Sequence, residues 1–319
     1  MIAFIFPGQG SQKVGMGRAL AETFPEAQAA FDEADAALAE GVDDVPLSRV
    51  IFEGPEERLT LTENAQPAIL TVSIAAYRVL AARGLQPGFV AGHSLGEYSA
   101  NVAAGTMSFA DAVRLVRRRG RYMQEAVPPG EGAMAAIFGL DTATVARACE
   151  EAADGEVVSP ANINGSGQVV IAGGKNAVQR AGERATALGA RRTIALAVSA
   201  PFHCALMQPA QDRLAPELRS LAVQDPRIPI VANVDAGPKC DAAAAIEALV
   251  RQVTAPVRWE DVVRCLALRG VTTYVEVGPG TVLTGLVKKI HKEAKVLNFA
   301  APDGLAAIEG ALRVVNEKD

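Results

Sequence analysis

The chain of 319 residues carries 31 Lys and Arg against 36 Asp and Glu, a formal charge of −5, and 50% of its residues are hydrophobic. That composition excludes a disordered chain and supplies core material for two domains, or for one large domain with an insertion. The acidic balance excludes a general phosphate-backbone binder, so nucleic acid is not an expected partner and any basic patch must be local.

Residues 1–6 form a short uncharged apolar run closed by Pro7-Gly8, which reads as a first strand and not as a signal peptide. Helical patterns are predicted over 16–40 and 64–83, and a strand at 89–91. No apolar run approaches the roughly 18 residues of a spanning helix, so no membrane role is expected. After the Pro128-Pro129-Gly130 break, the pattern predicts a strand at 133–138, a helix at 141–153 and strands at 157–163 and 168–172. A helix at 177–188 and a strand at 192–197 complete the order βαββαβ, the ferredoxin-like split unit. The expected organisation is therefore a small subdomain over 127–197 inserted into a large domain made of 1–126 and 198–319. Later strands are predicted at 228–232, 273–277 and 296–299, and the alternation with Ala-rich helices favours a parallel α/β sheet. Cys149, Cys204, Cys240 and Cys265 are widely spaced with no CxxC pair, so neither a metal site nor a disulfide framework is indicated and a reduced, cytoplasmic protein is expected.

Gly92-His93-Ser94-Leu95-Gly96 is a GxSxG sequence between a strand-like and a helix-like segment, the setting of a nucleophile elbow on an α/β-hydrolase-like sheet. Ser94 is then a nucleophile; the alternative is a serine that merely caps the next helix. Its base must come from three histidines. His93 adjoins Ser94 around a sharp turn and points elsewhere, while His291 follows Lys288-Lys289 and reads as a solvated surface residue. His203 sits where the chain re-enters the large domain, at an expected cleft, and is the candidate base.

The helix around 111–126 places Ala112, Val116, Gly120, Met123 and Val127 on one side at 100° per residue, with Arg119 beside that apolar stripe. Arg114, Arg117, Arg118 and Arg121 fall on the opposite, solvated side. A guanidinium near an inward stripe requires a partner, and no acidic residue stands three or four positions away on that stripe. The partner is either a carboxylate from elsewhere in the fold or a substrate carboxylate held bidentately.

Phe6-Pro7-Gly8-Gln9-Gly10-Ser11-Gln12, the GHSLG elbow, Leu115 to Gly120 with Met123-Gln124, and Pro201-Phe202-His203 together resemble the malonyl-CoA:acyl carrier protein transacylases. Asn162-Ile163-Asn164, Asn233-Val234-Asp235, Gln252 with Pro256-Val257-Arg258-Trp259, and Glu276 to Gly280 continue the resemblance in order along the whole chain. The resemblance implies that Ser94 is acylated, that His203 is its base, and that the backbone carbonyl of Gln252 holds the histidine. It also implies an oxyanion hole from the N–H groups of Gln9 and Leu95, and a grip on the malonyl carboxylate by Arg119. Phe202 implies selection against an α-methyl group. Malonyl-CoA and a phosphopantetheinylated acyl carrier protein are the implied partners, with no bound cofactor and a monomeric chain. Asn101 departs from the pattern, since an apolar residue is expected there. The remaining readings are a polyketide-type acyltransferase for another extender unit and a serine thioesterase, although thioesterases of this type place their histidine near the chain end. Carrier-protein docking is expected on Arg117, Arg118 and Arg121, or on Arg191, Arg192, Lys288 and Lys289.

Overall fold

A computed structural model of the chain describes residues 1–39, 42 and 44–316. Strand β1 (Ile2–Phe6) is buried along its whole length, because helical layers cover both faces of the sheet it centres. Ile2, Phe4 and Phe6 face one layer, and Ala3 and Ile5 face the other. Helices α1 (Arg18–Thr23), α2 (Pro25–Ala37), α3 (Leu47–Glu53), α4 (Glu56–Thr60) and α5 (Thr62–Ala82) follow. The single helix predicted over 16–40 is thus two helices. Phe24 is extended ahead of Pro25, the conformation that a following proline favours; Glu40, the end of that prediction, lies outside the described residues.

Strand β2 (Phe89–Gly92), α6 (Gly96–Ala104) and α7 (Phe109–Glu125) come next. Helix α5 corrects the expectation that no apolar run approaches a membrane span, because its 21 residues hold an 18-residue window with a mean hydropathy of 1.3. Sixteen of them are buried, among them Ile69, Leu70, Val72 and Ile74 in the main core, so its apolar surface is covered by protein.

Strands β3 (Gly132–Phe138), β4 (Val158–Gly165), β5 (Gln168–Gly174) and β6 (Arg192–Ala195) enclose α8 (Thr142–Ala152) and α9 (Lys175–Ala187). They form a separate antiparallel sheet in the order β4-β5-β3-β6, as the βαββαβ pattern predicts. The chain returns through α10 (Gln208–Arg219), β7 (Ile230–Val231), β8 (Pro238–Lys239), α11 (Ala242–Gln252) and α12 (Trp259–Leu268). Strand β7 is shorter than the predicted 228–232, since Pro229 has no N–H to give the ladder. Strand β9 (Thr273–Val277), α13 (Val282–Ile290), β10 (Lys295–Phe299) and α14 (Leu305–Asn316) end the described chain. The large sheet runs β10-β9-β1-β2-β7-β8, parallel except for β8. Gln9, Ser94 and Asn233 each follow the carboxyl end of one of three neighbouring strands, β1, β2 and β7, where open α/β sheets place their ligands.

Two single-residue expectations change. His291 is partly buried, with its ring edge-on to Tyr274 at 5.8 Å and its Nδ1 3.2 Å from the Tyr274 hydroxyl, so it is not simply solvated. Asn101 occupies an apolar setting by donating from Nδ2 to the Glu97 carbonyl, 2.8 Å away and one helical turn back.

Candidate active site

Ser94 stands at the turn between β2 and α6 with φ of 51°, a left-handed conformation that a non-glycine residue adopts only when its surroundings enforce it. Gly92 and Gly96 make the turn feasible. A methyl group on Gly92 would overlap the Gly96 carbonyl, and one on Gly96 would overlap the Phe6 carbonyl. The Ser94 N–H donates to Asn233 Oδ1 at 2.8 Å, and Asn233 Nδ2 donates to the Gly92 carbonyl at 2.7 Å. One buried amide therefore clasps both ends of the elbow.

His203 meets Ser94 from the returning chain. Its Nε2 lies 2.7 Å from Ser94 Oγ, and its Nδ1 lies 2.9 Å from the backbone carbonyl of Gln252. A carbonyl only accepts, so Nδ1 carries the proton and Nε2 is left to accept from the serine hydroxyl. Burial, and next the Arg119 charge, push the His203 pKa down to about 3, which keeps the imidazole neutral at physiological pH. The approach to His203 is fastened at Ser199, whose Oγ lies 2.9 Å from Thr62 Oγ1 and whose carbonyl accepts from Gln124 Nε2 at 3.0 Å.

Arg119 is fully buried in α7, where Gly120 lets that helix press against the start of α5. Its Nη1 donates to Gln66 Oε1 at 2.7 Å, and its Nη2 donates to Gln252 Oε1 at 3.0 Å and to Ser94 Oγ at 3.2 Å. Its guanidinium also lies 5.2 Å from the centre of the Tyr98 ring. All three hydrogen-bond partners are neutral, and among the described residues no carboxylate pairs with Arg119 directly. Burial lowers its pKa, yet a guanidinium stays protonated in proteins.

Gln252 does more than its main-chain carbonyl predicts. Its buried side chain donates to the Ser94 carbonyl at 3.0 Å and to Glu97 Oε2 at 2.8 Å, while accepting from Arg119. The N–H groups of Gln9 and Leu95 have no acceptor among the described residues. His93, by contrast, turns toward the small sheet, with Nε2 3.0 Å from Asn164 Oδ1 and its ring 5.7 Å from Trp259.

Ser94, His203 and Gln9 share a cleft of about 780 Å³ with Phe202, Met134, Asn162, Leu196 and Val198. The small sheet supplies the wall opposite the elbow. Phe202 is partly buried and packs on the cores of both sheets. A second hollow of about 520 Å³ opens at the other end of β3, lined by Phe138, Gln168, Arg191, Arg192 and Lys289. Among the described residues no group of three or more His, Cys, Asp or Glu is placed to hold a metal ion.

The sequence reading missed Glu97, Gln66 and the roles of Asn233 and of the Gln252 side chain. Asn233 and Gln252 lay within recognised motifs, but nothing in their spacing showed what their amides hold.

Residues 3–310 match the acyl transferase domain family. The chain is 52% identical over 311 residues to the malonyl CoA-acyl carrier protein transacylase of Salmonella typhimurium, covering 97% of this chain and 98% of that protein. It is 47% identical over 319 residues to the enzyme of the same name from Bacillus subtilis, covering 100% and 98%. Among solved structures, an acyl carrier protein S-malonyltransferase from Vibrio cholerae superposes with a TM-score of 0.93 at 47% identity, covering 96% of this chain and 99% of that one. A malonyl-transacylase in complex with its type II PKS acyl-carrier protein superposes with a TM-score of 0.92 at 47% identity, covering 96% and 97%.

Proposed function

The chain belongs to the acyl transferase domain family, and from that premise we propose that it transfers the malonyl group from malonyl-CoA to the phosphopantetheine thiol of an acyl carrier protein. The carrying observation is the meeting at one oxygen. Ser94 Oγ is within hydrogen-bond reach of both a neutral imidazole and a buried guanidinium that has no directly paired carboxylate among the described residues.

In the first half-reaction Ser94 Oγ attacks the thioester carbonyl as its proton passes to His203 Nε2. The developing oxyanion takes the free N–H groups of Leu95 and Gln9, each donor contributing on the order of 3 kcal/mol in such sites. The C–S bond then breaks, and His203 returns the proton to the departing CoA thiolate. In the second half-reaction His203 takes the proton of the carrier's thiol as its sulfur attacks the malonyl-serine carbonyl; the acyl C–Oγ bond then breaks, and His203 returns the proton to Ser94 Oγ, restoring the free serine. The ester intermediate makes the kinetics ping-pong. Arg119 holds the malonyl carboxylate, and Phe202 stands where an α-methyl group would crowd the acyl chain.

Residues 127–197 are proposed as the inserted subdomain and 1–126 with 198–319 as the catalytic one, the cleft lying between them. For carrier docking the proposed surface is the hollow with Arg191, Arg192 and Lys289, near Lys288. In the other candidate cluster Arg118 is already paired with Glu217 at 2.7 Å and Arg121 with Glu125 at 3.8 Å.

Intact-protein mass spectrometry after mixing with malonyl-CoA tests the reading. Wild type gains one malonyl group and Ser94→Ala gains none. A malonyl adduct surviving in the variant removes Ser94 from the mechanism.

A further inference from the structure

Glu97 is a carboxyl group sealed beneath the nucleophile, 1% exposed, and the mechanism above does not use it. Its Oε2 accepts the N–H of Asn233 at 2.9 Å and Gln252 Nε2 at 2.8 Å. The other end of the same Gln252 amide accepts Arg119 Nη2 at 3.0 Å. Carboxyl, amide and guanidinium thus form one line, with a single amide group between the two ionisable ends. Because Nε2 must face Glu97, Oε1 must face Arg119, so the amide orientation itself is set by the carboxyl.

The other charged and titratable groups near this line are as follows. Asp235 after β7 is paired with Lys239 on β8 at 2.8 Å and with Arg251 on α11 at 3.0 Å, the Tyr98 phenol is pushed up to about 12 by burial and is neutral, burial also lowers the His93 pKa, and His203 is neutral as described. Among the described residues Arg119 is the one buried cation in the cluster.

Resting on the reading that Arg119 holds the acyl carboxylate, we propose that Glu97 is the internal counter-charge of Arg119, relayed through the Gln252 side chain, and a residue that sets malonyl selectivity. When Glu97 is ionised, the malonyl carboxylate enters a site whose cation is already partly neutralised. When Glu97 is neutral, the full guanidinium charge is available to the substrate. Acetyl groups bring no carboxylate and are indifferent to the difference. Burial raises the Glu97 pKa to about 7, so both forms are populated near neutrality.

The test is kcat/KM for Ser94 acylation by malonyl-CoA and by acetyl-CoA from about pH 6 to pH 8.5, on wild type, Glu97→Gln and Arg119→Ala. Protonation of His203 affects both substrates alike and cancels in the ratio. In wild type the malonyl-to-acetyl ratio should fall about tenfold as pH rises through neutrality, the size of a one-unit pKa coupling. In Glu97→Gln the ratio should stay flat at the wild-type low-pH level. A purely structural Glu97 lowers both substrates together and leaves the ratio alone, and a Glu97 that aids the grip makes the ratio rise with pH; either result overturns the proposal. Should Glu97→Gln fail to fold by circular dichroism, the wild-type profile alone decides, since a pH-independent ratio is incompatible with the relay. If Arg119→Ala lowers both substrates equally, the carboxylate reading of Arg119 itself fails. If Arg119→Ala lowers malonyl transfer selectively while the wild-type ratio ignores pH, only the Glu97 relay fails.

Discussion

Beneath Ser94, Arg119, Gln252, Asn233 and Glu97 are each at most 1% exposed, whereas across the cleft every residue from Arg191 to Ser199 is exposed. The floor is a packed polar cluster in which the Asn233 and Gln252 amides each have their orientation fixed by several partners. The opposite rim is an edge strand, β6, paired on one side only, with Ile194, Leu196 and Val198 open to solvent. Polar groups sealed from water interact strongly and are costly to misplace, so a buried floor suits reacting atoms that must be held to a fraction of an ångström. A solvated rim screens charge, which on the proposed function suits access by a long substrate arm. One cleft therefore joins a sealed polar half to a solvated half.

The largest effect that this contrast predicts comes from breaking the floor. His203→Ala should slow acylation by malonyl-CoA and transfer to the carrier by about 10² to 10⁴ each, because in the proposed mechanism the same imidazole serves both attacking groups. Stopped-flow acylation and a separate deacylation assay read the two steps. If only one step slows, the other step uses another base, and His93, 3.0 Å from Asn164 and turned away from the serine, is the first to examine.

How much of this was legible in the sequence follows the same divide. Ser94 was legible because the elbow is a local device: two glycines four residues apart are required by backbone overlap whatever the rest of the fold does. Arg119 was legible because helical periodicity placed it beside Ala112, Val116, Gly120, Met123 and Val127, all of which are buried. His203 came by elimination among three histidines. Asn233, Gln66 and the Gln252 side chain were not legible as parts of the site, because a neutral amide has no periodicity or charge signature and their partners lie far away in sequence. Gln252 and Ser94, for example, are 158 positions apart. Glu97 is the instructive miss: to the eye one more acidic residue of a helix's first turn, it is the carboxyl on which the Gln252 side-chain amide and the Asn233 backbone N–H converge. In the fold, the small sheet was predicted element by element, while the break at Pro25 went unread although the proline itself carried the signal.

A smaller effect is expected where floor and rim meet. Phe202 lines the cleft beside His203 and packs on the cores of both sheets. Phe202→Ser should open room beside the α-carbon and shift the methylmalonyl-to-malonyl selectivity by tens, since a methyl-sized steric difference is worth about 1 to 3 kcal/mol. Competition between the two CoA thioesters measures the ratio. An unchanged ratio means that Phe202 faces the sheet cores and not the acyl chain.

The smallest effect belongs to the rim, where water and salt weaken every charge. Arg192 stacks its guanidinium 5.2 Å from the Phe138 ring, and with Arg191 and Lys289 it lines the hollow at the far end of β3; none of the three forms an ion pair among the described residues. An acidic carrier surface is attracted to such a cluster mainly during encounter, so the charges should act on the rate of association and fade within a Debye length as salt is added. The double reversal Arg191→Glu with Arg192→Glu should slow malonyl transfer to the carrier protein severalfold at low ionic strength, with the gap to wild type closing near about 0.5 M salt, where the Debye length is only about 4 Å. Reversal of Arg118 and Arg121 should leave the salt dependence nearly unchanged, because Glu217 and Glu125 already neutralise those side chains. Transfer that ignores both reversals would place carrier docking elsewhere on the molecule. Transfer that responds only to the Arg118 and Arg121 reversal would show that paired surface cations still steer the partner, and the rim of β6 would then serve the pantetheine arm alone.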